Sequence, residues 1–544
     1  MTDWNYADVW ELVADTVPHA PALVHGNRRV TWSELDSRAD GVARFLLDQG
    51  AKAQDKVAQY LYNGPEYLES VFASVKAGLV PVNTNYRYTE DELVYLWDNA
   101  DAVAVVFHGS FSELIESIRG RVPRVATWLW VDDGTGPCPD WAVDYETVAS
   151  SDQPPERVSP PWGRSGDDLI MLYTGGTTGM PKGVMWRQDD LFCRLNAGNM
   201  IKVPEDGGLH GVRKTIVGPG PIIIPACPLM HGTGAFTAYG TMAVGGCVVT
   251  LESRRFDPVE LLETVDRDNV NVIAIVGDAF AKPILTALDA NPGRFSLSTL
   301  LAIISSGVMW SEESKRALLH HHPTMMLIDA FSSSEALGMG NSVSSGTAAE
   351  HTAHFTLGPD VRVIDPDTGV NVVPGSGERG VLALGGRNPL GYYKDASKSA
   401  ATFREMDGVR YSIPGDYATV DADGSIQLLG RGSVCINTGG EKVFPEEVEE
   451  VLKRNPAVRD AVAVGVPDER FGEAVTAVVE LWPGKEAAEQ ELIDDVRAHL
   501  AAYKAPRRVR FVDTVGRSPA GKVDYARHRQ EMAAWVSGGG ASVA

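Results

Sequence analysis

Residues 173–183 read Tyr-Thr-Gly-Gly-Thr-Thr-Gly-Met-Pro-Lys-Gly, with three threonine hydroxyls, four glycines and one ammonium in a single short segment. Glycine lets the backbone come close to a ligand and adopt positive φ. Successive N–H groups can then face one concavity, to which Lys182 adds a point charge. Such a segment can do the chemistry of an anion cradle. The apolar run 169–172 before it reads as a strand, so the loop sits at a strand end. It is not a Walker loop. Pro181 precedes Lys182, and Gly183 stands where a Ser or Thr would hold a metal. On this loop alone, an ordinary Gly/Thr turn stays open.

Other chemistry-bearing groups follow in order: Pro228-Leu229-Met230-His231-Gly232, Phe331-Ser332-Ser333-Ser334-Glu335, Pro414-Gly415-Asp416-Tyr417, Leu429-Gly430-Arg431, Asn437-Thr438-Gly439-Gly440-Glu441-Lys442 and Ser518-Pro519-Ala520-Gly521-Lys522. This series resembles the adenylate-forming superfamily of acyl-CoA synthetases, peptide-synthetase adenylation domains and firefly-type luciferases. The likeness runs from about residue 15 to about residue 530. Within it, Trp186-Arg187, Gly277-Asp278-Ala279 and Gly430-Arg431-Gly432-Ser433-Val434 resemble an actinobacterial branch of fatty-acyl-CoA synthetases that includes steroid side-chain acid ligases.

The resemblance implies a reaction and assigns groups to it. A carboxylate is a poor acyl donor, and transfer of AMP from ATP turns it into a mixed anhydride that a thiol can attack. The work is positioning plus electrostatics. Thr174, Gly175, Gly176, Thr177, Thr178, Gly179 and Lys182 match the loop that cradles pyrophosphate. Phe331 matches the aromatic that stacks on adenine, although residue type alone favours core packing, and Ser332 falls in the same nucleotide motif. Ser334 matches a hydroxyl that meets the α-phosphate, and Glu335 the Mg²⁺-binding carboxylate. One carboxylate suffices, because Mg²⁺ keeps waters and uses substrate phosphates. Asp416 and Arg431 match the ribose contacts, and Lys522 the catalytic lysine between α-phosphate and substrate carboxylate. His231 matches a residue that orients the acid. Gly439, Gly440 and Glu441 match the loop lining the pantetheine tunnel of coenzyme A. Ala235, Phe236, Gly277, Asp278 and Gly307 fall in the expected acyl pocket.

Two departures from the family pattern stand out. The hinge at Gly432-Ser433 carries Ser433 and Val434 where charged residues are usual, and residue type alone reads it equally as a β-turn. Ala235 stands where several fatty-acid enzymes place a Trp gate, which implies an open mouth. Asp278 beside alkyl chain is odd; facing outward or capping a helix is the plainer reading. The expected activity is an AMP-forming ligation of a medium or long fatty acid to coenzyme A, with ATP and Mg²⁺. Alternatives are ligation of steroid side-chain or other polycyclic acids, a stand-alone amino or aryl acid adenylation enzyme, and a non-catalytic nucleotide-binding regulator. Phe236, standing where an acidic residue would hold an amino group, weighs against an amino acid substrate.

The net charge of −23 disfavours nucleic acid as a partner. It also opposes polyanions such as ATP and coenzyme A, so local cations must offset it, and residues 497–529 are rich in Arg and Lys. That stretch reads equally as a solvated basic face. The five cysteines form no C-x-x-C, which fits a reducing cytoplasm. No signal peptide and no bilayer-spanning run is expected; peripheral membrane contact and a homodimer stay open.

These groups need a scaffold, and 544 residues are too many for one core. Strand-like runs at 57–61, 80–82 and 103–107 alternate with helical spacing at 66–76 and 90–99. That alternation predicts an α/β architecture with parallel strands. The apolar runs 272–276 and 300–304 suit strands buried on both faces. From residue 360 short strands and Gly/Pro turns predict a β-rich subdomain. The expected organisation is a large N-terminal domain over 1–431 and a small mobile α+β domain over 432–535. A disordered tail over 536–544 is expected to follow.

Overall fold

The structure is a computed structural model. It describes residues 3–150, 156–174, 180–308, 310–346, 352–438, 441–468, 472–500, 502–518 and 521–538. Described residues up to 174, 180–346 and 385–412 form one compact unit, and 352–384 with 413–538 form a second.

The first unit carries two sheets. In one, the strands Pro21–His25, Cys247–Thr250, Ile222–Pro225, Val272–Ile275, Ala302–Ser306 and Met326–Ser333 run parallel in that spatial order. Antiparallel Arg28–Thr31 and Ala336–Ser345 flank them. Val272–Ile275 is buried at every position, as its unbroken apolar run requires. The neighbouring strand begins at Ala302, not at residue 300, and Leu301 is exposed in the turn before it. In the other sheet Val80–Asn83, Lys56–Tyr60, Ala102–His108, Thr127–Val131 and Val143–Asp144 are parallel. The hairpin Leu169–Thr174 with Lys182–Arg187 lies at its edge beside Gly391–Tyr392. The helix Pro65–Lys76 starts on a proline at its first turn, where no N–H is needed, and every residue in it is buried. Thr31 and Glu34 cap the helix Trp32–Asp48 reciprocally.

The second unit holds an antiparallel sheet ordered Val361–Ile364, Arg379–Leu384, Asp416–Val420, Ile426–Arg431 and His354–Leu357. It also holds a C-terminal sheet built on the long hairpin Val458–Asp468 with Gly472–Leu481. Arg508–Val512 adds in parallel, and Ile436–Thr438 with Glu441–Val443 forms a small hairpin on it. The helices Pro445–Lys453, Glu489–His499 and Tyr525–Ser537 bury Val448, Leu452, Leu492, Val496 and Met532 against the C-terminal strands. The last helix runs through Ser537, so Val536 and Ser537 are helical where a disordered tail was expected; residues 539–544 lie outside the described residues. The α/β class, with parallel layered sheets in the large N-terminal part and a small C-terminal α+β sheet domain, is the architecture that the alternating pattern predicts.

Candidate active site

The glycine-rich loop leaves one strand of a hairpin and returns into the other, with Thr174 opposite Lys182. Gly175, Gly176, Thr177, Thr178 and Gly179 lie outside the described residues. The base of the loop is tied down by Asn83, buried at the end of the adjacent strand. Its amide donates to the carbonyls of Tyr173 at 2.9 Å and Met230 at 2.7 Å, and its oxygen takes the Tyr173 N–H. One side chain thereby joins the loop to the residue before His231. His231 precedes the helix Gly232–Met242 and is half-buried.

Phe331, Ser332, Ser333, Ser334 and Glu335 form the tip of the hairpin between Met326–Ser333 and Ala336–Ser345, with an irregularity between Phe331 and Ser333. The tip is held by three contacts. The buried indole of Trp186 donates to the Ser334 carbonyl at 2.9 Å, the Ser412 hydroxyl to the Glu335 carbonyl at 2.7 Å, and Gly338 N–H to the Ser332 hydroxyl at 3.0 Å. Glu335 is only 9% exposed, and its Oε1 accepts the Tyr392 hydroxyl at 2.9 Å. Behind the strand, burial pushes the Asp329 carboxyl up to about 6 even though Lys315 Nζ lies 3.2 Å away.

Lys182 reaches the same place from the other hairpin. Its ammonium lies 5.6 Å from the centre of the Tyr392 ring and 3.1 Å from Asp395. Lys182 and Glu335, far apart in the chain, are brought to the two ends of one tyrosine. Asn83, Trp186, Tyr392 and Asp395 were given no role from sequence. A lone Asn at a strand end and a Tyr in a Gly-Tyr-Tyr run carry no charge pattern or periodicity that would single them out.

The fit of Mg²⁺ can be judged from the donors. Among the described residues no three His, Cys, Asp or Glu side chains gather into a cage. Glu335 Oε2 has no hydrogen-bond partner among the described residues, and the nearby Ser333 hydroxyl is buried without one. One held carboxylate plus hydroxyls suits an ion that completes its shell with phosphate and water.

The expected acyl wall sits at the strand ends of the first sheet. Gly277 has φ 54° and Gly307 φ 94°, conformations that favour glycine. A Cβ on Gly307 would lie 3.7 Å from the Thr233 hydroxyl and 3.9 Å from Val276. Gly232, Thr233 and Thr237 are the half-buried positions on the helix Gly232–Met242, whereas Ala235 is 2% exposed and lies with Phe236 in the core. Asp278 opens the helix Asp278–Ala290, yet its carboxylate accepts the N–H and hydroxyl of Ser311, the cap of the next helix. It joins two helix starts, a role the sequence pattern did not distinguish from capping its own.

In the second unit, Asp416 and Arg431 are cross-strand partners with Arg431 Nε 3.3 Å from the carboxylate. Gly430, with φ 105°, has the Glu446 carboxyl pressed on its Cα, where a Cβ would fall 2.2 Å from Oε2. Burial, then the neighbouring Glu449, pushes Glu446 up to about 8. Gly432 begins a short 3₁₀ turn, Gly432–Val434, and a Cβ there would strike the Tyr417 ring at 2.6 Å. Ser433 lies within that turn. Gly439 and Gly440 lie outside the described residues; Glu441 begins the strand Glu441–Val443. Lys522 is exposed at the end of a loop closed by Ser518 N–H to the Lys522 carbonyl at 2.8 Å. Arg517 anchors the loop by donating to Asp460 at 2.6 Å and to the Gly521 carbonyl at 3.1 Å. Pro519 and Ala520 lie outside the described residues.

Within the basic stretch 497–529 several cations are paired inside their own unit. Arg497, Lys504, Arg508, Arg517, Arg527 and Arg529 each face a carboxylate of the same unit. A cavity of about 490 Å³ at the far end of the Lys182–Arg187 strand is likewise charge-balanced, because Arg187 and Arg387 pair with Asp189 and Asp190.

Residues 10–393 match the family described as "AMP-binding enzyme", and residues 447–522 match "AMP-binding enzyme C-terminal domain". A 3-oxocholest-4-en-26-oate–CoA ligase of Rhodococcus rhodochrous is 42% identical over 96% of this chain and 94% of its own. A medium/long-chain-fatty-acid–CoA/3-oxocholest-4-en-26-oate–CoA ligase of Mycolicibacterium smegmatis is 41% identical over 96% and 95%. The crystal structure of ATP-bound MatB from Rhodopseudomonas palustris superposes with a TM-score of 0.80 at 26% identity, covering 97% of this chain and 99% of that one.

Proposed function

We propose, from the premise that this chain belongs to the AMP-binding enzyme family, that it joins a hydrophobic carboxylic acid to coenzyme A in an ATP- and Mg²⁺-dependent, AMP-forming ligation. In the first half-reaction a carboxylate oxygen of the acid attacks the α-phosphorus of ATP and pyrophosphate leaves. In the second, the thiol sulfur attacks the acyl carbon, AMP leaves with the bonding pair, and the thiol proton passes to solvent.

The observation that carries this reading is the convergence of Lys182 and Glu335 on Tyr392. It sets an ammonium for leaving-group phosphate beside a carboxylate for a metal. Glu335 would hold Mg²⁺, whose charge offsets the phosphates. Ser334 and Lys182 would contact phosphate, Phe331 adenine, and Asp416 and Arg431 the ribose. His231 would orient the acid. Lys522, carried on a domain turning about Gly432 and Ser433, would reach the α-phosphate in one orientation. In the other, the Gly439-Gly440-Glu441 segment would line the thiol's path.

Medium and long fatty acids are the primary substrates of this reading. A second class, polycyclic side-chain acids, is favoured by Gly307, which faces Thr233 and adds no side chain to that wall. No helix among the described residues is long and apolar enough to cross a membrane. A cytoplasmic setting is part of the proposal, supported by five cysteines that form no disulfide.

The test is coenzyme A consumption and pyrophosphate release across linear acids of two to twenty carbons, aryl acids and steroid acids. Turnover confined to hydrophobic acids, dependent on ATP and Mg²⁺, is expected. Pyrophosphate release without thioester formation for every acid would overturn the ligase reading.

A further inference from the structure

We propose that Tyr392 is a positioning residue that couples the phosphate-binding lysine to the metal-binding carboxylate, an inference that rests on the functional reading above. Its hydroxyl donates to Glu335 Oε1 at 2.9 Å, and Lys182 Nζ lies over its ring at 5.6 Å. The residue is buried and its backbone belongs to the Gly391–Tyr392 strand, paired with Lys182–Arg187 so that Tyr392 faces Val184. Tyr393 N–H donates to the Gly183 carbonyl at 2.8 Å, which fixes the same segment one step closer to the glycine-rich loop.

The local backbone is built to hold this tyrosine. The Tyr392 N–H donates to the Ser399 hydroxyl at 2.8 Å, and Ser399 in turn donates to the Asp395 carbonyl at 2.7 Å. Gly391 has φ 151°, and a Cβ there would meet the Ser399 hydroxyl at 2.7 Å. A side chain at 391 would displace the group that holds the Tyr392 N–H.

A free carboxylate rotates about its last bond and offers either oxygen, or both. With Oε1 engaged by a buried hydroxyl, Glu335 presents Oε2. Mg²⁺ demands near-octahedral geometry and takes a carboxylate through one oxygen more readily than through two, so a pre-set oxygen favours it. Partners that orient a metal ligand typically alter metal affinity by roughly tenfold or more. The ring does a separate task. It gives the Lys182 ammonium an aromatic face that stays in place when phosphate draws the ammonium away from Asp395.

The two tasks are separable by substitution. Tyr392→Phe keeps the ring and removes the hydroxyl, whereas Tyr392→Leu removes both. The measurement is calorimetric binding of α,β-methylene ATP to the full chain, titrated with and without Mg²⁺, alongside melting temperature. For Tyr392→Phe the expected result is a roughly tenfold rise in the Mg²⁺ concentration that half-maximally strengthens nucleotide binding, with metal-free affinity unchanged. Tyr392→Leu should weaken metal-free binding as well. Ser399→Ala, which keeps the Tyr392 side chain and removes the hydroxyl that holds its N–H and the Asp395 carbonyl, should shift the Mg²⁺ requirement in the same direction and less. Wild-type Mg²⁺ dependence in both Tyr392→Phe and Ser399→Ala would overturn the coupling alone. A wild-type protein whose nucleotide binding ignores Mg²⁺ would overturn the functional reading and the coupling with it.

Discussion

Asp395 holds the ammonium of Lys182, with Nζ 3.1 Å from Oδ2, while its Oδ1 accepts the Lys398 N–H at 2.9 Å and caps the helix Ala396–Thr402. The Lys398 N–H, and then Lys182, keep this carboxylate below its usual range. A polyphosphate drawn to Lys182 would therefore compete with a fixed negative charge.

Asp395→Asn should keep the helix cap, since Asn caps as well as Asp, and remove the competitor. A partly exposed pair of this kind is worth up to about 1 kcal/mol. The KM for ATP, measured at saturating acid and coenzyme A, should fall by up to roughly fivefold. A KM that rises would show that Asp395 aims Lys182 and does not compete for it.

Lys522→Ala should abolish adenylation and spare thioester formation from supplied acyl-adenylate. Loss of one charge contact to a transition state typically costs about 10²–10³ in rate. Rapid-quench measurement of each half-reaction separates the two. Equal losses would refute the two-orientation assignment of Lys522.

Glu446 gives a pH dependence of stability. Burial and Glu449 raise its pKa to about 8, with Asp416 adding to the push, and Tyr525 donates to the neighbouring Glu449 at 3.0 Å. Lys453 and Arg517 are the cations acting on Glu449. A carboxyl that binds its proton more tightly when folded stabilises the fold fully below its unfolded pKa. That contribution is lost as pH rises toward about 8. Glu446→Gln, which mimics the neutral acid, should flatten the fall in melting temperature between pH 5 and 8 and raise it at pH 8. A variant whose pH profile matches wild type would show that Glu446 ionises in place without cost.

Thr233 offers a cleaner test of the acyl wall than Ala235. Because Ala235 is buried in the core, Ala235→Trp should lower the melting temperature, through overpacking of about 1–3 kcal/mol or more, and reduce turnover of all acids alike. Thr233→Phe, facing Gly307, should instead narrow the slot. The kcat/KM ratio of linear to polycyclic acids should rise at least tenfold, or about 1.4 kcal/mol. An unchanged ratio would remove Thr233 from the wall.

What the sequence determined by itself was local. Alternating strand and helix periods specified the parallel sheets, because each period exposes one apolar face that must be covered. Helix 90–99 and strands 80–82 and 103–107 fall within one residue of the observed Glu90–Asn99, Val80–Asn83 and Ala102–His108. The motif residues were legible because a loop that can cradle phosphate needs glycine, hydroxyl and ammonium side by side. The strand boundary differs from residue 300 because Leu300 still closes a turn, its N–H bonding the Leu297 carbonyl, and Leu301 is exposed although both extend the apolar run. Only the tertiary structure decided which groups share a hydrogen bond. The contacts of Tyr392 with Glu335, Asn83 with Tyr173 and Met230, Asp278 with Ser311, and Glu446 with Gly430 join residues from separate elements. Periodicity reports how one segment divides its faces between core and solvent. It holds no record of which distant hydroxyl a buried carboxylate meets once those faces have closed on one another.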